Sequence, residues 1–244
     1  MQLIKKLFRK KEREKATTCS VVLVAAGTAA RMEGKDKILF DLGGTPVIIH
    51  SLRPFEASPY VQEIIIVTRH EIMVEVSQLC KLYGLNKVTK IIPGGKTRTD
   101  SVRLGVNEVR DGVDLVAIHD GARPFVTLPV LEAAIQAAAE FGAAAPGIPV
   151  KDTIKSVEAG IVQETLPRET LRAVQTPQVF EHSLIRAALA KAIQDEVNIT
   201  DDCSAVERLG FPVVITQGSE ENIKLTTPYD LILAESILEG GDEL

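Results

Sequence analysis

Ser20-Val-Val-Leu-Val24 runs directly into Ala25-Ala-Gly-Thr-Ala-Ala-Arg-Met-Glu-Gly-Lys-Asp-Lys37. The apolar run, rich in β-branched side chains, reads as a strand buried on both faces, and the small residues after it read as a turn. Such a turn, followed by cations, is how many α/β folds hold phosphate. Spacing excludes two common versions. A dinucleotide fingerprint needs G-x-G-x-x-G, but Gly27 is followed by Ala29 and Met32 at the other two glycine positions. A P-loop needs four residues between its first glycine and G-K-[ST]. Here six residues separate Gly27 from Gly34-Lys35, and Asp36 stands where the hydroxyl should be. What remains is a small-residue loop carrying Arg31, Lys35 and Lys37, with another phosphate geometry.

Outward from this loop, strand-like and helix-like segments alternate. Apolar runs at 64–67, 88–92, 115–118 and 213–216 join 21–24 as expected buried strands. Thr45-Pro46 is expected to open a helix running to about residue 55, with proline at the first helical position. Residues 71–83 and 99–109 fit further helices, the latter with Val102, Val106 and Val109 on one stripe. An alanine-rich helix follows Pro129, and Thr227-Pro-Tyr-Asp230 resembles a capping box with aspartate in place of Glu or Gln. This alternation implies a mostly parallel sheet with helices on both faces, a Rossmann-like α/β fold. Residues 151–177 break the rhythm. They read as a hairpin turning at Glu158-Ala-Gly160, a ribbon that buries too little to stand alone. The expected organisation is a basic extension over residues 1–18, then one domain over 19–240 with this β-arm.

The 244 residues, 45% apolar and 25% charged, suit one soluble α/β domain. Cys19, Cys80 and Cys203 are odd in number and far apart, which favours a reducing cytoplasm over disulfides or zinc. No run approaches the ~18 apolar residues of a membrane span. Residues 1–16 hold seven Lys or Arg against two Glu, a net +5; with the whole chain at −5, the remainder carries −10. An acidic body argues against nucleic acid as a partner. Leu3, Ile4, Leu7 and Phe8 would form one face of a short basic helix able to touch acidic lipid. The plainer reading of the tail is a solvated extension.

Ligands in open α/β sheets bind beyond the carboxyl ends of strands. After the strand ending near residue 92 comes Pro93-Gly-Gly-Lys-Thr-Arg-Thr-Asp-Ser101, with Arg98 and Ser101 at a helix start. After residue 118 comes His119-Asp-Gly-Ala-Arg-Pro124, presenting Asp120 and Arg123. Asn222-Ile-Lys-Leu-Thr226 presents Lys224. Each piece has a plain structural explanation by itself, as a turn, an ion pair or a surface lysine. Cations and one carboxylate recurring at the same sheet edge suit a nucleoside triphosphate with Mg²⁺.

In order along the chain, AAG-x-x-x-RM…K, GG-x-x-R-x-x-SV, HD-x-ARP, D-T-x-K, TPQ-x-F, TDD-x-SA and NIK-x-T resemble the 2-C-methyl-D-erythritol 4-phosphate cytidylyltransferases over about residues 19–238. The resemblance implies a homodimer exchanging β-arms and transfer of CMP from CTP to methylerythritol phosphate in non-mevalonate isoprenoid synthesis, with release of pyrophosphate. It implies Arg31, Lys37 and Lys224 as catalytic cations. Ala25, Ala26, Gly27, Gly95, Arg98 and Ser101 fall at the nucleotide site. Asp120, Arg123, Thr153, Arg168, Thr176 and Thr200 fall at the alcohol-phosphate site, with Asp120 as a candidate Mg²⁺ ligand. Ala29 stands where the family often has glycine, and Asp36 and Ile38 flank Lys37 where it often has proline and glutamine. Ribitol 5-phosphate cytidylyltransferase, which shares the nucleotide half, is the nearest alternative. A catalytically silent nucleotide-sensing dimer is the alternative of another class.

Overall fold

The computed structural model describes residues 17–27, 36–197 and 199–241. Its sheet is built on β1 (Cys19–Ala25), flanked in parallel by β4 (Val61–Thr68) and β6 (Leu115–Asp120), with β5 (Val88–Pro93) parallel beyond β4. Period-two alternation in β1 sends Cys19, Val21, Leu23 and Ala25 into one core and Val22 and Val24 into the other. Ile64 and Ile66 of β4 follow the first set, Ile65 and Val67 the second. A strand apolar on both sides needs cover on both sides. Helices α1 (Val47–Ala57), α2 (Met73–Leu82) and α4 (Leu128–Phe141) cover one face; α3 (Arg98–Asn107), α5 (His182–Gln194) and α6 (Asp202–Arg208) cover the other.

The small strands β2 (Asp41–Leu42) and β3 (Thr45–Pro46) pair with each other ahead of α1. Pro46 therefore caps α1 from outside, and the helix starts at Val47 rather than at Thr45-Pro46. Helix α3 starts one residue earlier than expected. Thr97 caps it, accepting from Asp100 N–H at 3.0 Å while Asp100 accepts from Thr97 N–H at 3.2 Å. The box at Thr227 and Asp230 opens α7 (Pro228–Gly241) as the sequence predicts.

Beyond β6 the sheet becomes mixed. β7 (Ala143–Pro149) carries β12 (Val214–Gln217) in parallel, and on its other edge the antiparallel β11 (Gln178–Glu181) and β10 (Arg172–Val174). β11 also pairs with β6 and closes the sheet into one piece. Between β7 and β10 stands the arm: β8 (Lys155–Glu158) and β9 (Ile161–Thr165) pair only with each other among the described strands. They are joined by Ala159 and Gly160, both at positive φ, the two-residue turn that the hairpin reading requires. Every residue of the two strands is exposed, Val157, Ile161 and Val162 included.

Candidate active site

A cleft of about 250 Å³ opens at the carboxyl ends of β1 and β6. Ala25, Ala26 and Gly27 form one wall, and Gly95, Lys96, Thr97, Arg98 and Ser101 a second. Lys37, Asp120 and Lys224 stand at its charged end. The close approach of the two walls depends on glycine. A Cβ on Gly94 would sit 2.2 Å from Ala26 Cβ and 2.9 Å from Ser101 Oγ. Ser101 Oγ accepts from Gly95 N–H at 3.0 Å and donates to Thr97 O at 3.0 Å, so the second wall is fixed by its own helix start.

Asp120, at the end of β6, is the charge centre. Lys224 Nζ lies 2.8 Å from its Oδ2, Arg98 Nε lies 3.3 Å from Oδ1, and Arg123 Nε lies 3.8 Å from Oδ2. Burial alone would raise its pKa, but Arg98, Lys224 and Arg123 together outweigh burial and hold it well below the usual carboxylate range. Arg98 is aimed by a fully buried partner, Asp202 at the start of α6, through two bonds of 3.1 and 2.8 Å. Lys37 Nζ donates to Leu225 O at 3.2 Å, and its pKa is lowered by burial and by the charge of Lys224. The turn presenting Lys37 is pinned by Asp36, which accepts from Ile38 N–H at 3.2 Å and pairs with Arg69. A side chain thus performs here the fixing that a proline ring would supply.

Beneath the charged end lies His119. Its Nε2 is 3.1 Å from Arg123 O, a group that only accepts, so Nε2 carries the proton and Nδ1 accepts from the Thr176 hydroxyl at 3.0 Å. The Thr176 hydroxyl in turn accepts from Asp120 N–H at 3.2 Å. Burial lowers the His119 pKa to about 4, so the ring is neutral near pH 7.

The structure thus brings together Ala25, Ala26, Gly27, Lys37, Gly95, Arg98, Ser101, Asp120 and Lys224 around the cleft, with Arg123 and Thr176 packed behind Asp120. Thr153, Arg168 and Thr200 do not line the cleft of the single chain. Thr153 and Arg168 lie on the exposed arm, where Arg168 donates to Lys151 O at 2.6 Å, and Thr200 is exposed ahead of α6. Arg31 lies outside the described residues. Sequence reasoning passed over His119, Asp202 and Asn222, although each sits inside a motif it had singled out, and Gln175, which directly precedes Thr176 of TPQ-x-F.

The sequence profile of the IspD family, 2-C-methyl-D-erythritol 4-phosphate cytidylyltransferase, matches residues 19–240. The chain belongs to this family. It is 46% identical over 221 residues to the 2-C-methyl-D-erythritol 4-phosphate cytidylyltransferase of Halalkalibacterium halodurans, covering 90% of this chain and 96% of the relative. It is 45% identical over 225 residues to the protein of the same name from Clostridium novyi, covering 91% and 96%. The crystal structure of 4-diphosphocytidyl-2C-methyl-D-erythritol synthase from Anaerococcus prevotii superposes with a TM-score of 0.84 at 28% identity, covering 92% of this chain and all of that one. The chain is accordingly a nucleotidyltransferase with CTP-dependent cytidylyl transfer as its activity, on a Rossmann-like fold. Among the described residues no helix is long and apolar enough to cross a membrane.

Proposed function

We propose that the cleft transfers CMP from CTP to 2-C-methyl-D-erythritol 4-phosphate by in-line displacement at the α-phosphorus. The alcohol's phosphate oxygen forms the new bond to phosphorus as the bond to the β-phosphate oxygen breaks and pyrophosphate leaves. The observation that carries this reading is the convergence of Arg98, Arg123 and Lys224 on one ionised carboxylate, with Lys37 lining the same backbone-walled cleft. The attacking oxygen is already anionic, so no general base is needed, and the neutral, inward-bonded His119 fits a site without one. The work left to the protein is positioning two polyanions and opposing the charge that develops between them.

In this reading Arg31, Lys37 and Lys224 face the triphosphate. Ala25, Ala26, Gly27, Gly95 and Ser101 enclose the cytosine nucleoside, while Asp120 and Arg123 hold the alcohol. Thr176 acts by fixing the backbone of Asp120. Thr153, Arg168 and Thr200 complete the alcohol-phosphate contacts when a second copy seats the arm. The exposed Val157, Ile161 and Val162 support such a homodimer, because a two-stranded ribbon alone is marginal.

Mg²⁺ fits as a companion of CTP. Among the described residues no three His, Cys, Asp or Glu side chains converge as a metal cage. Asp120 is one hard oxygen donor kept ionised, which suits a cation bound mainly through substrate phosphates. When bound there, the ion neutralises phosphate charge. A cytoplasmic site of action suits the three buried free thiols.

Pyrophosphate release measured with CTP and either methylerythritol phosphate or ribitol 5-phosphate tests the assignment. Release with the former and not the latter is expected. Preference for ribitol phosphate would transfer the chain to the alternative substrate, and release with neither would support the silent-sensor reading.

A further inference from the structure

Three of the cleft's cations depend on one loop, the stretch from Gly218 to Leu225. Lys224 belongs to it, Arg123 Nη1 donates to Asn222 O at 2.7 Å, and Lys37 Nζ donates to Leu225 O. The end of the loop has an apolar anchor: Leu225 is fully buried among Leu42, Val47, Ala122 and Ala234, its N–H donates to Ala122 O at 2.9 Å, and Ile223 packs against the same cluster. Ahead of it Glu220 and Glu221 are exposed and Asn222 is fully buried, and there the anchor is polar. Gln175 Nε2 donates to Ser219 O at 2.7 Å, and Gln175 Oε1 accepts from Ser219 N–H at 3.3 Å and from Asn222 Nδ2 at 3.4 Å. Asn222 Nδ2 also donates to Thr176 O at 3.0 Å. Gly218 leaves the space this requires, because a Cβ there would lie 2.5 Å from Gln175 Oε1.

Gln175 is itself placed by the sheet. Its N–H donates to Pro146 O at 2.8 Å, and the preceding residues, 172–174, are β10, the strand by which the arm returns to the body. One side chain therefore joins the end of the arm to the loop that aims the cations.

We propose that the Gln175–Asn222 amide pair positions Lys224, Arg123 and Lys37, and that it is the mechanical link between the arm and the cleft. Neither side chain lines the cleft, so both act through other residues. The proposal rests on the roles given above to the three cations. It predicts that Gln175→Ala and Asn222→Ala lower turnover roughly ten- to hundredfold, as small misplacements of catalytic groups do. The KM for CTP should change far less, since the backbone walls are untouched. Because the two residues serve one contact, the double variant should be no worse than the poorer single one. Amide exchange at Ser219, Asn222 and Leu225 reads the loop without any reaction and should speed up at least about tenfold in each variant. Exchange rates equal to wild type would show that the pair does not hold the loop. Faster exchange with normal turnover, or additive losses in the double variant, would equally overturn the positioning role. If wild type releases no pyrophosphate, the functional reading fails by itself, and the exchange data still decide whether the pair anchors the loop.

Discussion

His119 Nδ1 lies 3.0 Å from the Thr176 hydroxyl, and the same hydroxyl receives the backbone N–H of Asp120. The orientation of the site's central carboxylate is thereby tied to a fully buried imidazole that must stay neutral. Phe55 packs on the ring at a centroid distance of 4.9 Å, and Asp120 and Arg123 are its nearest charged neighbours. Between the ordinary histidine value of 6.5 and the native value of about 4, the unfolded chain binds a proton that the native chain refuses. Stability therefore falls as the solution is acidified through that window and is unaffected by this residue above it. At about 1.36 kcal/mol per unit, the loss reaches about 3 kcal/mol. Denaturant melts of wild type and His119→Gln between pH 7 and pH 4.5 should show a steeper acid decline in wild type. Parallel curves would refute it.

Lys37→Ala is expected to cost turnover about 10²–10³-fold, in line with loss of one preorganised charge contact. The KM for CTP should move much less, because the opposed charge grows only in the transition state. Burial and Lys224 lower the Lys37 pKa, so the alkaline limb of wild-type turnover should fall below the ordinary lysine value of 10.5. Steady-state kinetics across pH measures both effects. Near-normal turnover of the variant at saturating CTP would remove Lys37 from the machinery.

Gly94→Ala should distort the nucleoside end of the cleft. The added methyl would overlap Ala26 Cβ, and relief requires the two walls to part. Overpacking of this kind costs about 1–3 kcal/mol of stability, and the KM for CTP should rise while residual turnover at saturation persists. Calorimetric CTP binding together with a thermal melt checks it. Unchanged CTP affinity would mean that the contact between the walls does not shape the pocket.

What the sequence made legible follows from how strongly each segment obeys one period. β1 and β4 are continuous β-branched runs because both of their faces are covered, and they were readable without the structure. β7, Ala-Ala-Ala-Pro-Gly-Ile-Pro, was not, since alanine, glycine and proline are poor strand formers. Its small residues reflect crowding: a Cβ on Gly147 would stand 3.0 Å from Ile215 Cγ2 and 3.4 Å from Arg172 Cβ. Within the site, Asp120 and Lys224 were legible because they sit at strand ends beside glycines and cations. Asp202 and Asn222 were not, because their partners, Arg98 and Gln175, are 104 and 47 residues away and only folding brings them together.

The last prediction concerns the arm. Its hairpin packs on no other strand among the described residues, shows three large apolar side chains to solvent, and carries Arg168 at its base. In the proposed homodimer such a ribbon would gain its missing cover from a second copy, and a two-fold arrangement would make the exchange reciprocal. Each cleft would then borrow Arg168 from its neighbour, which would account for Arg168 not lining the cleft of its own chain. Mixing Arg168→Ala subunits with Arg31→Ala subunits, each expected to be inactive alone, should restore part of the wild-type turnover. One composite site in the heterodimer then has both arginines, and the other has neither. Mass spectrometry of differently tagged subunits establishes that exchange has occurred. If heterodimers form and no activity returns, Arg168 serves its own chain or none, and the shared site is wrong. If gel filtration shows only monomers that are fully active, the dimer itself is unnecessary for the reaction.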